Sequence, residues 1–270
     1  MKINFTKMHG AGNDFVVIDN LERRLQLSIG QIRFLCDRRF GVGADGLLLL
    51  EPAAADGVDA TMIYYNADGS GAEMCGNGAR CFSAFAFARN LGKGGRIRFA
   101  TDAGVVGAER VDGLYRIELT PPSSLVRGRA IELKEGSAVI HSVNTGVPHA
   151  VRFVDDVAQV DIRALGPEIR YHADFAPKGT NVNVAQVQAD GLVRIRTYER
   201  GVEDETLACG TGVTAVGIMA HFVHGVERPV RVQVAGGDVL QVDFEKDDGG
   251  IRQVTLTGPA VAVFTGSVEV

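Results

Sequence analysis

Two cysteines stand in the same short phrase at distant points of this 270-residue chain. Met74-Cys75-Gly76-Asn77-Gly78-Ala79 opens one apolar helical pattern, and Ala208-Cys209-Gly210-Thr211-Gly212-Val213 opens another. A thiol just ahead of a helix N-terminus is biased towards thiolate, because first-turn N–H groups and the helix dipole stabilise negative charge. Two such thiols suit the opposite faces of one small substrate. One thiolate would take the proton from the carbon next to a carboxylate. The other thiol would deliver a proton to the far face, and the configuration would invert. A carboxylate held by the N–H groups of Gly76, Asn77, Gly210 and Thr211 would receive charge as the proton leaves, as in an oxyanion hole. No dinucleotide glycine fingerprint or Walker sequence is present, so no cofactor is expected. The cysteine spacings make no C-x-x-C knuckle, so no metal is expected either.

The polar residues near these phrases fit a zwitterionic substrate. Asn13, Asn66 and Asn181 lie in turn-like or strand-end positions, and Tyr198-Glu199-Arg200-Gly201 closes a strand ten residues before Cys209. Glu199 suits an ammonium group and Arg200 a bidentate carboxylate. His149 is placed to tune a cysteine. Taken singly, each is as well read as a turn-capping asparagine or a solvated Glu-Arg pair. Their clustering beside the thiol phrases weights the reading towards function. Cys36 and Cys81 lie inside helical patterns and read as small buried hydrophobes.

The elements that must position these groups follow from pattern. The two thiol phrases are 134 positions apart, and the same shift carries Ala11-Gly12-Asn13-Asp14 onto Thr145-Gly146-Val147-Pro148. Both are glycine turns running into β-rich stretches, so the chain reads as two related halves. Ala79–Leu91, closed by Gly92, and Val213–Val223, followed by Gly225, are apolar on nearly every side and must be surrounded. Ile29–Arg39 reads as an amphipathic helix. Strand patterns recur between these helices, with Ala189-Asp190-Gly191 as a hairpin turn. Pro121-Pro122 interrupts pairing and marks the crossing between halves. The expectation is an α+β fold of two pseudo-symmetric domains. Each is a curved, mostly antiparallel sheet around a central apolar helix, and the active site lies in the cleft between them.

Bulk properties exclude other classes. Acidic residues outnumber basic ones by 33 to 28, which argues against a nucleic-acid footprint. No apolar run approaches bilayer length, so no membrane is expected. The first residues lack a signal-peptide core, and a cytoplasmic location, with reduced cysteines, is expected.

In order along the chain, Lys7-Met8-His9-Gly10-Ala11-Gly12-Asn13-Asp14-Phe15, Asn66-Ala67-Asp68-Gly69-Ser70, Cys75 to Cys81, Tyr198 to Gly201 and Ala208 to Gly212 resemble the diaminopimelate epimerase family. The resemblance covers essentially the whole chain. It implies a cofactor-independent two-base reaction of LL-2,6-diaminoheptanedioate to the meso form, in lysine and peptidoglycan precursor synthesis. It implies Cys75 and Cys209 as catalytic, with Gly76-Asn77 and Gly210-Thr211 on the reacting carboxylate. Asn13 and Glu199 would stand near the reacting ammonium, with Asn66, Asn181 and Arg200 on the distal group. His149 and Glu199 would modulate the thiols. It further implies a homodimer with Phe264 at the contact, and domains at 1–120 plus 265–270 and at 121–264. Two positions depart from the pattern. Val147 replaces a substrate-binding asparagine, and Gly46 stands where some members have glutamine. The rival readings are a proline or hydroxyproline racemase and a thiol redox sensor.

Overall fold

Ile3 and Phe5 alternate with polar neighbours, and this period of two makes the first strand, β1 (Lys2–Gly10), with both side chains buried. In the computed structural model, which describes residues 1–72, 74–247 and 250–270, the chain forms two units. The first comprises Met1–Glu118 and Gly258–Val270; the second comprises Leu119–Thr257.

In the first unit, β1 turns at Ala11-Gly12 into the antiparallel β2 (Asn13–Asp19). A capping box between Ser28 and Gln31 starts α1 (Ile29–Cys36), satisfying two N–H groups that the helix itself cannot. The chain returns as β3 (Gly46–Pro52), parallel to β2, and then β4 (Ala60–Asn66), antiparallel to β3. Next come α2 (Gly76–Phe87), β5 (Arg96–Thr101) parallel to β4, and the antiparallel β6 (Gly104–Val111) and β7 (Leu114–Glu118). Every residue of α2 from Gly76 to Ala86 is buried, against β1, β2 and β7 among others.

The second unit repeats this series. After β8 (Ser123–Leu133), β9 (Gly136–Asn144) and β10 (Pro148–Phe153) form an antiparallel pair. Helix α3 (Ile162–Arg170) crosses to β11 (Asn181–Val187), parallel to β10, and β12 (Val193–Glu199) is antiparallel to β11. Short β13 (Asp204–Thr206) leads to α4 (Gly210–His224), then β14 (Val230–Gln233), parallel to β12. The antiparallel β15 (Val239–Asp247) and β16 (Gly250–Gly258) follow. The order of antiparallel and parallel pairings matches that of the first unit, with a helix at the same two crossings. The 134-residue offset between the cysteine phrases therefore corresponds to a repeated topology. The fold is α+β and dominated by sheet.

Three of the differences from the sequence reading concern helix ends and the boundary between the units. First, α2 and α4 begin at Gly76 and Gly210, three residues earlier than the apolar runs. Glycine and polar residues fill both first turns, so hydrophobic periodicity starts late. Second, α2 is capped by Ala88 rather than Gly92, which lies in the turn beyond. Third, β17 (Val261–Glu269) pairs with β1 from His9↔Val261 to Lys2↔Glu269. The C-terminal segment thus joins the first unit from Gly258, not 265, and takes Phe264 with it.

Helix α4 lies so close to β15 that Gly217 is required. A Cβ there would sit 2.7 Å from Val242 Cβ. Alanine in a helix interior gains about 0.5–1 kcal/mol over glycine. Overpacking against a stiff β-branched neighbour costs about 1–3 kcal/mol, so the clash wins. Gly217→Ala should lower the urea midpoint, with a net loss of about 1–2 kcal/mol. An unchanged or raised midpoint would mean that β15 yields without cost.

Candidate active site

Cys75 and Cys209 are the N-cap residues of α2 and α4. Both have extended backbones, with φ −138° and −121°, and each carbonyl accepts the first helical N–H, from Ala79 and Val213, at 2.8 Å. The following residues, Gly76-Asn77-Gly78 and Gly210-Thr211-Gly212, form the first turns. A helix directs these N–H groups away from its own carbonyls, where an anion can meet them.

Around Cys75 the first unit gathers a fixed amide network. Cys75 Sγ donates to Asn13 Oδ1 at 3.5 Å, and Asn77 Nδ2 donates to the same oxygen at 3.2 Å. Asn13 Nδ2 donates to Asp45 Oδ2 at 2.7 Å, and Arg80 Nη2 donates to Asn77 Oδ1 at 2.8 Å. These two outer bonds fix which way each amide points. Asn13 must therefore turn its carbonyl oxygen to Cys75. Arg80 is fully buried and also donates to the carbonyls of Pro259 and Gly76. Asp14, next to Asn13, is half-buried. Burial opposes its charge, but bonds from Arg38 and Lys7 outweigh this and hold its carboxyl well below the usual range. Asn66 ends β4 and donates to Ser70 Oγ at 3.0 Å.

Around Cys209 the second unit gathers a second set. Cys209 Sγ lies 3.4 Å from Thr211 Oγ1, and the Thr145 hydroxyl donates to the Thr211 carbonyl at 2.9 Å. That bond ties the first turn of α4 to the turn between β9 and β10. Val147, in this turn, occupies the place that Asn13 has in the first unit and brings no hydrogen-bonding side chain. Asn181 is buried; it accepts from the Arg200 N–H at 2.8 Å and donates to the Pro148 carbonyl at 3.1 Å. It therefore sets the backbone from which the Arg200 side chain departs. Glu199 ends β12 and accepts from the Thr206 hydroxyl at 2.9 Å.

His149 is completely buried beneath this turn. Burial, aided by the nearby charge of Arg200, pushes its pKa down to about 3, so the ring is neutral at physiological pH. Cys36 and Cys81 are also buried, which pushes their thiols up to about 11 and about 12. Neither is a useful base near neutrality.

Of the residues named from sequence, Asn13 and Thr211 lie within hydrogen-bonding distance of the thiols; Asp45, Arg80, Thr145, Asn183 and Thr197, which bond to the groups around them, were not named. Arg80 carried a signal, being an arginine in an otherwise apolar helix. Asn183 carried one too, since Asn181 and Asn183 share one face of a strand at period two.

The sequence profile of the diaminopimelate epimerase family matches residues 5–118 and 141–263. The chain belongs to the diaminopimelate epimerase family. It is an isomerase. Among its relatives, the diaminopimelate epimerase of Aquifex aeolicus is 42% identical, over 99% of this chain and 98% of that protein. The diaminopimelate epimerase of Chlorobaculum tepidum is also 42% identical, over 97% and 99%. Solved structures share this isomerase's fold at low identity. A phenazine biosynthesis protein of the PhzF family from Bacillus anthracis superposes with TM-score 0.77 at 14% identity, covering 100% of both chains. A probable proline racemase from Agrobacterium radiobacter, with bound carbonate, gives TM-score 0.72 at 17% identity, over 99% of this chain and 93% of that one. At such identities the likeness concerns fold alone, so it does not favour the racemase reading.

Proposed function

We propose that this isomerase interconverts LL- and meso-2,6-diaminoheptanedioate by a two-base mechanism, with Cys75 and Cys209 as the bases. The observation that carries the reading is the repeated placement of a thiol at the N-cap of a buried helix, one in each unit. The thiolate takes the α-proton and becomes a thiol. The electron pair passes into the carboxylate, where the first-turn N–H groups of Gly76-Asn77 and Gly210-Thr211 stabilise the enediolate-like charge. The second thiol gives its proton to the opposite face and becomes a thiolate. Atoms and electrons balance without an electron-sink cofactor. Asn13 and Glu199 take the reacting ammonium. Asn66, Asn181 and Arg200 serve the distal amino-acid group, and His149 and Glu199 tune the thiols.

The full-length likeness to named diaminopimelate epimerases supports this substrate, and with it a place in lysine and peptidoglycan precursor synthesis in the cytoplasm. The direct test offers the reduced protein LL-diaminopimelate and, separately, L-proline, and reads products by chiral chromatography. Meso product from the first alone is expected. Turnover of proline alone would move the chain to the racemase branch, and indifference to both would sink the proposal.

A homodimer is part of the same reading. Strand β17 pairs along one edge with β1 and leaves Val261, Val263 and Phe264 exposed, with Phe264 packed edge-on against Phe5 at 5.9 Å. A run of exposed apolar side chains on a strand is the mark of an interaction surface. Phe264→Asp should halve the mass seen by analytical ultracentrifugation. An unchanged mass would place the contact elsewhere, and a wild-type monomer would remove it.

A further inference from the structure

Beneath Cys209 lies a chain of buried polar groups that the proposed proton transfers do not use. The Thr197 hydroxyl donates to Asn183 Oδ1 at 3.0 Å, and Asn183 Nδ2 donates to the Ala150 carbonyl at 2.9 Å. Asn183 Nδ2 also lies 3.1 Å from His149 Nδ1. Thr197, Asn183 and His149 are all buried.

Their donor and acceptor capacities leave one consistent arrangement. A backbone carbonyl only accepts, so the Asn183 atom facing Ala150 is the amide nitrogen. The hydroxyl of Thr197 then donates to the amide oxygen. The second amide hydrogen is directed at His149 Nδ1, which must accept. In a neutral imidazole the proton therefore sits on Nε2. That nitrogen is buried and has no hydrogen-bond partner among the described residues.

The ring lies against the first turn of α4, at Gly212. A Cβ on Gly212 would be 3.4 Å from His149 Cε1, 3.4 Å from Cys209 Cβ and 2.5 Å from Asn183 Oδ1. The absence of that one methyl group is what lets helix, imidazole and amide meet. Cε1 carries both ring nitrogens. With Nδ1 given to Asn183, Nε2 is the nitrogen left to serve an outside group.

We infer that Asn183 is a positioning residue that locks His149 as the neutral Nε2–H tautomer beside Cys209. The imidazole then gives a hydrogen bond to negative charge at the reacting centre and takes no proton there. This distinguishes the site from a Cys-His pair, in which the imidazole is the base. The inference rests on the two-thiol reading above for its link to catalysis, and on geometry alone for the tautomer.

The test is ¹⁵N NMR of histidine-labelled, reduced protein without substrate, with His149 assigned by loss of its signals in H149Q. The expected spectrum has a protonated Nε2 and a bare Nδ1, with no titration between pH 5 and 8. A protonated Nδ1, or an imidazolium in that range, overturns the lock. In Asn183→Asp the acceptor oxygen draws a proton onto Nδ1. We expect the tautomer to change, kcat to fall at least tenfold and KM to stay within twofold, since Asn183 does not touch substrate. A changed tautomer with an unchanged kcat and pH profile overturns the positioning role. If that variant does not fold, Asn183→Leu asks the same question, and the wild-type spectrum stands without either. A chain with the expected tautomer that turns over no diaminopimelate sinks the proposed function and leaves the lock in place.

Discussion

Replacing either Cys75 or Cys209 by alanine is expected to remove epimerisation, by at least about 10³-fold, the scale on which positioned acids and bases act. The reason is that inversion needs a proton removed on one face and supplied on the other. A single thiol does only half of that within one turnover. The fold should survive both changes. Each cysteine is an N-cap without a side-chain capping bond, so its contribution to helix stability through the sulfur is small. Circular dichroism and the urea midpoint should therefore stay near wild type while activity is lost. Full activity in either folded variant contradicts the two-base scheme.

The second large effect is on stability in acid. His149 has a folded-state pKa of about 3 against an ordinary value of 6.5, first because of burial and second because of Arg200. The folded pKa is depressed, so between these values the unfolded chain binds a proton that the folded chain refuses. Stability from this source is whole above about pH 6.5 and is lost as pH falls towards 3. The slope approaches about 1.4 kcal/mol per pH unit in that window. Urea titrations at pH 7, 5 and 4 should show it in the wild type, and His149→Gln should lack it. Asp14 acts in a different window. Its carboxyl is held low, so its contribution is present above its ordinary value of 3.8 and fades only below that pH. Equal slopes for wild type and His149→Gln between pH 6.5 and 4 would mean that His149 is solvated in the folded protein.

How far the sequence could be read depended on what each element buries. The thiol phrases were legible because glycines, a polar first turn and an apolar helix coincide twice at one offset. The paired topology then follows, with β2–β3 and β10–β11 parallel and β3–β4 and β11–β12 antiparallel. Strand β1 had a clear alternation at Ile3 and Phe5, but the next inward residue is Lys7, whose charge breaks the pattern. Its ammonium is satisfied by Asp14 and the Gly43 carbonyl, which sequence spacing does not reveal. Strands β8 and β17 are largely exposed, so nothing forces apolar and polar residues to alternate there. Helix α3 contains Gly166 and Pro167, both poor in helix interiors. It forms because Asp161 caps it and Ile162 and Ile169 bury against the second unit's core. In the site, the residues named from sequence lie in or near glycine turns, where local pattern marks them. Asp45, Asn183 and Thr197 act through strand pairings between distant segments, and local pattern carries no trace of those.

The most direct test of the two-thiol account is the fate of the α-proton. Reduced protein is incubated with LL-diaminopimelate in D₂O, without added cofactor, and early time points are read by NMR and mass spectrometry. The account predicts meso product carrying one deuterium at the inverted carbon while the remaining LL substrate stays protiated, because the base that takes the proton is not the acid that gives the deuteron. Meso product that retains the substrate's own proton, or LL substrate that gains deuterium as fast as product forms, would mean a single base and would contradict it.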